Sequence, residues 1–405
     1  MNGPKESVLI YHVSAMRIVI APDKFKGSLD AAAVARAMRD GVLRASASMD
    51  VQMCPVADGG EGTVAALVAA TGGRIAMRRV TGPRVDMTVD APIGILGDGR
   101  TAVIEMATAS GLSLLSIERR DPNCTTTFGT GELIVAAAEM GVAEIIVGLG
   151  GSATIDGGIG CCQACGLPVI LEGGEPLAPS EPLVGGDMDR VVLIKRGRGG
   201  MAAILDRIRI RAACDVNVPL CGEHGSAALF GPQKGASPRQ VAWFDDALSR
   251  LAKRCGHEEA AQLPGAGAAG GLGFALAAFF GATLEPGIDV VADATGLKQR
   301  LAGADLCITG EGRLDEQTAR GKAISGVVRL CKDAGVPCVA LAGSIAAGWT
   351  AMIDQGLTAG VCICDGPMDV ATAMADAERL IRAAAENVTR LWMAGRLDSS
   401  RQSRG

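Results

Sequence analysis

Residues 148–158, GLGGSATIDGG, constrain this chain more than any other stretch. They follow a β-branched run at 144–147 that reads as a buried strand, and they precede a small-residue helix beginning at Ile159. Five glycines beside Ser152, Thr154 and Asp156 exceed what a turn needs. Glycine lets the backbone approach a ligand and present successive N–H groups, and the following helix adds the positive end of its dipole. The loop reads as a phosphate cradle, with Gly150, Gly151, Ser152, Thr154 and Asp156 as its candidate contacts. Loops of the same character recur as VADGGEGT (56–63), FGPQKGA (230–236), GAGAAGGLG (265–273) and TGEGRLD (309–315). Together they point to an enzyme that handles a phosphorylated ligand.

The spacing of apolar residues gives the architecture around these loops. Residues 16–22 read as a buried strand and 29–44 as an amphipathic helix with Ser28 as N-cap. Toward the other end, apolar runs at 305–310, 336–343 and 357–364 alternate with helical patterns at 321–334 and 345–355, and a long one covers 369–394. Such alternation indicates a parallel sheet with crossovers. Between the two ends, 76–125 carries short alternating segments cut by Gly and Pro, and a helix opens at Ser237 and Pro238. The expected fold is α/β with two domains. A discontinuous Rossmann-like parallel-sheet domain takes 16–75 plus 285–395, and an inserted mixed α/β domain takes 76–284. Residues 1–15 read as a disordered extension, 396–405 as a disordered tail, and 185–201 as a solvated basic loop.

Composition removes several classes. A net charge of −5 and 3% aromatic residues leave no electrostatic footprint or stacking platform for nucleic acid. No apolar run is long enough to span a bilayer, and the first residues lack the core of a secretion signal. Thirteen scattered cysteines read as reduced thiols of a cytoplasmic protein, with Cys162 and Cys165 as packing rather than metal or redox chemistry. Three histidines, one of them in the extension, make a Ser–His–Asp or Cys–His enzyme a poor fit, and GxxxxGK[ST] is absent.

The remaining loops each allow two readings. Asp23, Lys26 and Ser28, at the carboxyl end of the first strand, suit a phosphate or carboxylate, or else a solvated loop with a helix cap. Asp58 and Glu61 suit Mg²⁺, or an ordinary helix entry. Asp215, at a strand end beside Asn217, is a credible general base for a substrate hydroxyl, or an Asx-turn former. Lys234 offers a charge to an anion, against the solvated lysine a loop usually carries. Residues 265–270 match GxGxxG without a preceding strand, so a packed helix entry competes with a dinucleotide loop. Glu311, Arg313, Asp315, Thr318 and Lys322 crowd one segment that is hard to explain as filler.

IAPDKFKGSL, PVADGGEGT, TTTFGTGELI, GGSATIDGG, ACDVNVPL, FGPQKGA, GAGAAGGLG and TGEGRLDEQTARGK occur in this order. With these motifs the chain resembles the bacterial type 1 glycerate kinases over nearly its whole length. The resemblance implies ATP- and Mg²⁺-dependent phosphorylation of D-glycerate, with 2-phospho-D-glycerate as the expected product and a place in glyoxylate or sugar-acid breakdown. It implies that the discontinuous domain is flavodoxin-like and that the site lies in the interdomain cleft. It also implies small-molecule partners only, with a homodimer allowed. On this reading Asp215, Lys234 and Arg313 are the catalytic candidates. Asp23, Lys26, Ser28, Asp58 and Glu61 hold substrate. Gly150, Gly151, Ser152, Thr154, Asp156, Gly267, Gly270 and Gly271 hold ATP, and Glu311 and Asp315 hold the metal. Ile155 and Val218 depart from the family pattern, each standing where Asn is common. A kinase for another hydroxy acid and a catalytically silent metabolite-binding regulator are the rival functions.

Overall fold

The chain lays down two strands of one sheet, leaves it for eight others, and then returns. In the computed structural model, which describes residues 16–173, 181–197, 199–319 and 323–402, β1 (Arg17–Ile20) and β2 (Asp50–Met53) pair in parallel across the helix Ala31–Ala45. Next come β3 (Arg74–Thr81), β4 (Thr88–Ile95), β5 (Thr101–Glu105) and β6 (Glu144–Gly148). A hairpin of β7 (Val169–Leu171) and β8 (Val191–Ile194) precedes β9 (Arg209–Ala213) and β10 (Thr283–Glu285). The chain comes back as β11 (Leu306–Leu314), β12 (Cys338–Ile345) and β13 (Ala359–Cys362). The first sheet, ordered β13-β12-β11-β1-β2, is wholly parallel. The second, ordered β10-β9-β6-β5-β4-β3, is antiparallel only where β3, β4 and β5 meet. The α/β class read from the alternation is the one observed.

Two helices, Thr63–Thr71 and Gly287–Thr295, lie between the sheets and bind them into one core. Val64 and Leu67 of the first, and Ile288, Val290 and Val291 of the second, share a buried cluster with Val19, Ala21 and Val56 on one side. Val103, Ile146 and Ala213 close it on the other. Each Val, Leu and Ile among them contributes about 1.5–3 kcal/mol by leaving water. The sheets are therefore not free to part without exposing a common interior.

Several expectations are corrected. Phe25 and Leu29 bridge each other and keep 25–29 in a turn, so the first helix starts later and Asp30, not Ser28, caps it by accepting from Ala33 N at 2.7 Å. The segment 185–201 is not a solvated loop: Met188, Val191 and Ile194 are buried, and β8 pairs with β7. Within 309–315 the chain stays extended, because β12 continues beside β11 as far as Leu314. The helical pattern over 369–394 breaks at Asp376, and the helix that follows runs over Ala377–Gln402 through the expected tail. Ile155 is buried in the apolar core of the second sheet rather than facing a ligand. Residues 1–15 and Lys322 lie outside the described residues.

Candidate active site

The strands of each sheet end in register, so their loops open on one side. In the second sheet Glu105, Gly148, Ala213 and Glu285 stand level at the carboxyl edge. One bond beyond each strand carries that register into the loops: Met106 N to Gly148 O (3.0 Å), Leu149 N to Ala213 O (3.1 Å) and Cys214 N to Glu285 O (2.8 Å). The first sheet does likewise, with Asp23 N donating to Gly310 O and Val56 N to Pro22 O, both at 2.9 Å. Loops from both carboxyl edges then meet backbone to backbone. A Cβ on Gly148 would overlap Gly59 O, one on Gly287 would overlap Asp58 O, and one on Gly150 would lie 2.8 Å from Gly60 Cα. These glycines are required by contact between loops.

Where the loops meet there is a cavity of about 360 Å³. Asp58, Gly60, Cys214 and Asp215 line it together with Gly150, Gly151, Ser152 and Lys234, and Leu112, Leu149, Phe230 and Ala269 are among its apolar lining. Lys234 is only 2% exposed. Its Nζ donates to Ser152 Oγ at 2.7 Å and to Thr154 O at 2.8 Å, and sits 6.0 Å from the centre of the Phe230 ring. Burial lowers its pKa to about 7, opposed by the charge of Asp156. A buried ammonium with two neutral acceptors has a third proton to offer and gains by meeting an anion. Among the described residues, the N–H groups of Gly150, Gly151 and Ser152 have no protein acceptor, which adds backbone donors to the same lining.

The same lining carries acidic groups. Asp215 keeps an exposed surface toward the cavity, its Oδ1 accepts from Gly287 N at 2.8 Å, and its carboxyl is raised to about 7 by partial desolvation first and then by Asp58 and Asp289. Asp23, which is not part of the lining, is also raised to about 7, by burial and then by Asp58, with Glu311 adding to it. Asp58 thus stands between two carboxyls that resist ionisation. Groups poised near neutrality in a cleft are suited to exchanging protons or to binding a cation.

Other residues are placed differently. Asp156 is fully buried and accepts from Thr127 N, Thr127 Oγ1 and Gly158 N at 2.7–3.0 Å, bracing two loops together. Thr154 is buried and serves through its carbonyl. Gly267, Gly270 and Gly271 lie outside the cavity lining. A Cβ on Gly267 would overlap Pro219 O and one on Gly270 would overlap Thr154 O, so they are packing glycines, and their neighbours Ala268 and Ala269 face the cavity instead. Ala269 holds φ at +54°, the one left-handed non-glycine among the described residues. Ser28 Oγ donates to Met374 O at 2.8 Å, Glu61 is exposed, and Lys26 is exposed beside Gly312. Arg313 is 64% exposed and pairs with Asp315 at 3.2 Å, while Asp315 Oδ1 caps the helix Glu316–Ala319 through Gln317 N and Thr318 N. Neither lines the cavity.

One residue was missed in the sequence. Glu105, buried at the end of β5, accepts from Gly62 N at 3.1 Å and Val64 N at 2.7 Å. The helix Thr63–Thr71 has no side-chain cap of its own, so a carboxylate from the second sheet caps it and holds the Asp58–Gly60 turn against the cavity. Burial raises the Glu105 carboxyl, and those N–H bonds oppose the rise.

Residues 18–393 match the profile of the glycerate kinase family. The chain belongs to that family. A glycerate kinase of Halalkalibacterium halodurans is 42% identical over 374 residues, 92% of this chain and 97% of that protein. The glycerate 2-kinase of Escherichia coli is 42% identical over 378 residues, 93% and 96% of the two chains. A crystal structure of a glycerate kinase 2 candidate from Salmonella typhimurium LT2 is 43% identical with a TM-score of 0.83, covering 94% of this chain and 99% of its own. Five of the eight segments that gave the resemblance, PVADGGEGT, GGSATIDGG, ACDVNVPL, FGPQKGA and GAGAAGGLG, supply residues to the cavity lining of this glycerate kinase family enzyme. No helix among the described residues is long and apolar enough to cross a membrane.

Proposed function

We propose that this enzyme transfers the γ-phosphoryl group of ATP to the 2-hydroxyl of D-glycerate, in the cavity between the two carboxyl edges. The observation that carries the reading is the pairing of anion-seeking groups with acidic ones in one lining. Lys234 and the N–H groups of 150–152 suit the glycerate carboxylate or the transferring phosphoryl, and Asp215 lines the same cavity. Asp215 orients the attacking hydroxyl and takes its proton as the bond to phosphorus forms and ADP leaves. Such transfers rest on positioning and charge neutralisation more than on covalent chemistry. Lys26 and Arg313, both exposed, are assigned to the ATP phosphates.

The acidic groups also fit Mg²⁺. Among the described residues no three carboxylates form a ready-made cage, and Mg²⁺ needs only one or two carboxylates plus water and phosphate oxygens. Asp23, Asp58 and Glu311 are the residues that would hold it, where it would neutralise phosphate charge. Asp315 is occupied as a helix cap. All thirteen cysteines are free thiols, which supports a cytoplasmic setting.

The test is incubation of the purified protein with ATP, Mg²⁺ and D-glycerate, followed by enolase without phosphoglycerate mutase. Phosphoenolpyruvate is the expected product. Glycerate-dependent ADP without phosphoenolpyruvate moves the transfer to the 3-hydroxyl, and no glycerate-dependent ADP overturns the substrate.

A further inference from the structure

Far from the cavity, three cysteines converge. Cys307 on β11, Cys331 in the helix Ala323–Ala334 and Cys338 at the start of β12 place their Sγ atoms within 4.8 Å of one another. All three are 0% exposed. Cys307 and Cys338 are direct partners on neighbouring parallel strands, and Cys331 closes the triangle from the helix packed above them. The cluster lies at the amino ends of these strands, whereas the cavity lies at the carboxyl ends.

We propose that the trio is a three-coordinate site for a thiophilic d¹⁰ cation, with Cu(I) as the ion whose chemistry it fits. Thiolates select soft ions over Mg²⁺ or Ca²⁺. A metal–sulfur bond of about 2.3 Å puts three trigonal sulfurs about 4.0 Å apart, inside the observed spacing, so ligation needs side-chain adjustment rather than backbone movement. Zn²⁺ fits less well, because it takes four ligands in structural sites. Among the described residues no fourth His, Cys, Asp or Glu joins the group, and its surroundings include Val327, Val328, Val336 and Ala340.

Entry does not require global unfolding. Residues 332–335 and Pro337, between Cys331 and Cys338, are exposed, so loosening of this turn opens the trio. Each thiol that ligates releases its proton to solvent, and no electron is transferred. The bound ion ties β11, β12 and the helix together, and because the folded chain holds the three sulfurs already assembled it binds that state more tightly than the unfolded one and stabilises it by mass action.

Packing alone is the competing account, since free cysteine is often buried. A second pair competes for the same metal: Cys362 and Cys364 place Sγ 3.6 and 3.5 Å from Gly343 O. The experiment is an anaerobic Cu(I) titration of the full-length reduced protein against a chromogenic Cu(I) chelator. X-ray absorption at the copper edge and a melting curve complete it. Wild type is expected to take one equivalent with three sulfur neighbours and to melt higher when loaded. A Cys362→Ser/Cys364→Ser variant keeps both effects, and Cys331→Ala and Cys307→Ser each lose them while still folding by circular dichroism. If either core variant misfolds, the other and the surface variant carry the comparison. Retention of the equivalent by a folded core variant, its loss from the surface variant, a two-sulfur spectrum, or no uptake by wild type each overturns the proposal.

Discussion

Replacing Asp215 by Asn should make the enzyme inactive and more stable at once. Partial desolvation, then Asp58 and Asp289, lift this carboxyl from 3.8 to about 7. Asp215 is exposed to the water of the cavity, so screening reduces the roughly three-unit rise to a cost of about 1–2 kcal/mol for ionising it in the folded state. The folded pKa is the higher one, so folding is favoured by the protonated form. That contribution is complete below about pH 4 and is lost as pH climbs through about 7. Asparagine keeps the shape and can accept from Gly287 N, now at 2.8 Å from Asp215 Oδ1, but carries no charge. At pH 8, without ligands, Asp215→Asn should therefore exceed the parent by about 1–2 kcal/mol, the range left after screening by the water in the cavity. The gain should shrink steadily toward pH 5. Turnover with ATP and D-glycerate should fall about 10²–10⁴-fold, the usual contribution of a positioned proton acceptor. Urea melts of both proteins from pH 5 to pH 8, beside steady-state kinetics, read the two effects together. A stability difference that is flat with pH, or negative at pH 8, refutes the electrostatic reasoning. Near-parental turnover removes Asp215 from the chemistry.

Three further substitutions probe the rest of the site. Lys234→Met keeps the buried stem but removes the charge, and should lower kcat/KM for D-glycerate by about 10–100-fold, on the scale of a lost charged hydrogen bond; unchanged kinetics would detach this lysine from the substrate. Gly270→Ala puts a Cβ into the Thr154 carbonyl at a φ of +72°, so it should cost about 1–3 kcal/mol in a thermal melt. It should also raise the KM, because that carbonyl holds Lys234. Glu105→Ala strands the N–H groups of Gly62 and Val64, which should cost about 2–4 kcal/mol. It should also lower kcat through the Asp58 turn, and an unaltered kcat in the folded variant would confine Glu105 to stability.

The 148–152 loop was legible because a strand, clustered glycines and a helix start have one common use, and Gly150, Gly151 and Ser152 do line the cavity. Asp215 and Lys234, singled out as a carboxylate at a strand end and a charge in a glycine loop, both fall in the cavity lining. The glycines of 265–273 misled, because composition cannot distinguish a loop that cradles a ligand from one that packs on another loop. Gly270 belongs to the second kind, and only the position of the Thr154 carbonyl reveals it. Asp156 misled likewise, since its three donors come from Thr127, 29 residues away, and from Gly158. Glu105 gave no signal at all: a glutamate ending a strand looks ordinary until a helix 41 residues earlier in the chain is seen to lack a cap of its own. The 185–201 segment was misjudged because its charges outnumber the few apolar residues that actually decide its fate.

The glycine seam between the loops has an evolutionary consequence. Gly59, Gly148, Gly150 and Gly287 sit where one loop's backbone touches another's, so any side chain added there widens the seam before it can contact a ligand. Selection for a new substrate cannot work through these positions one mutation at a time. It has to act on the residues that face the opening, such as Leu112, Phe230 and Gln233, whose side chains can change size without separating the sheets. Divergence within this scaffold is thereby channelled: the reacting centre stays fixed while the pocket's outer walls are free to drift.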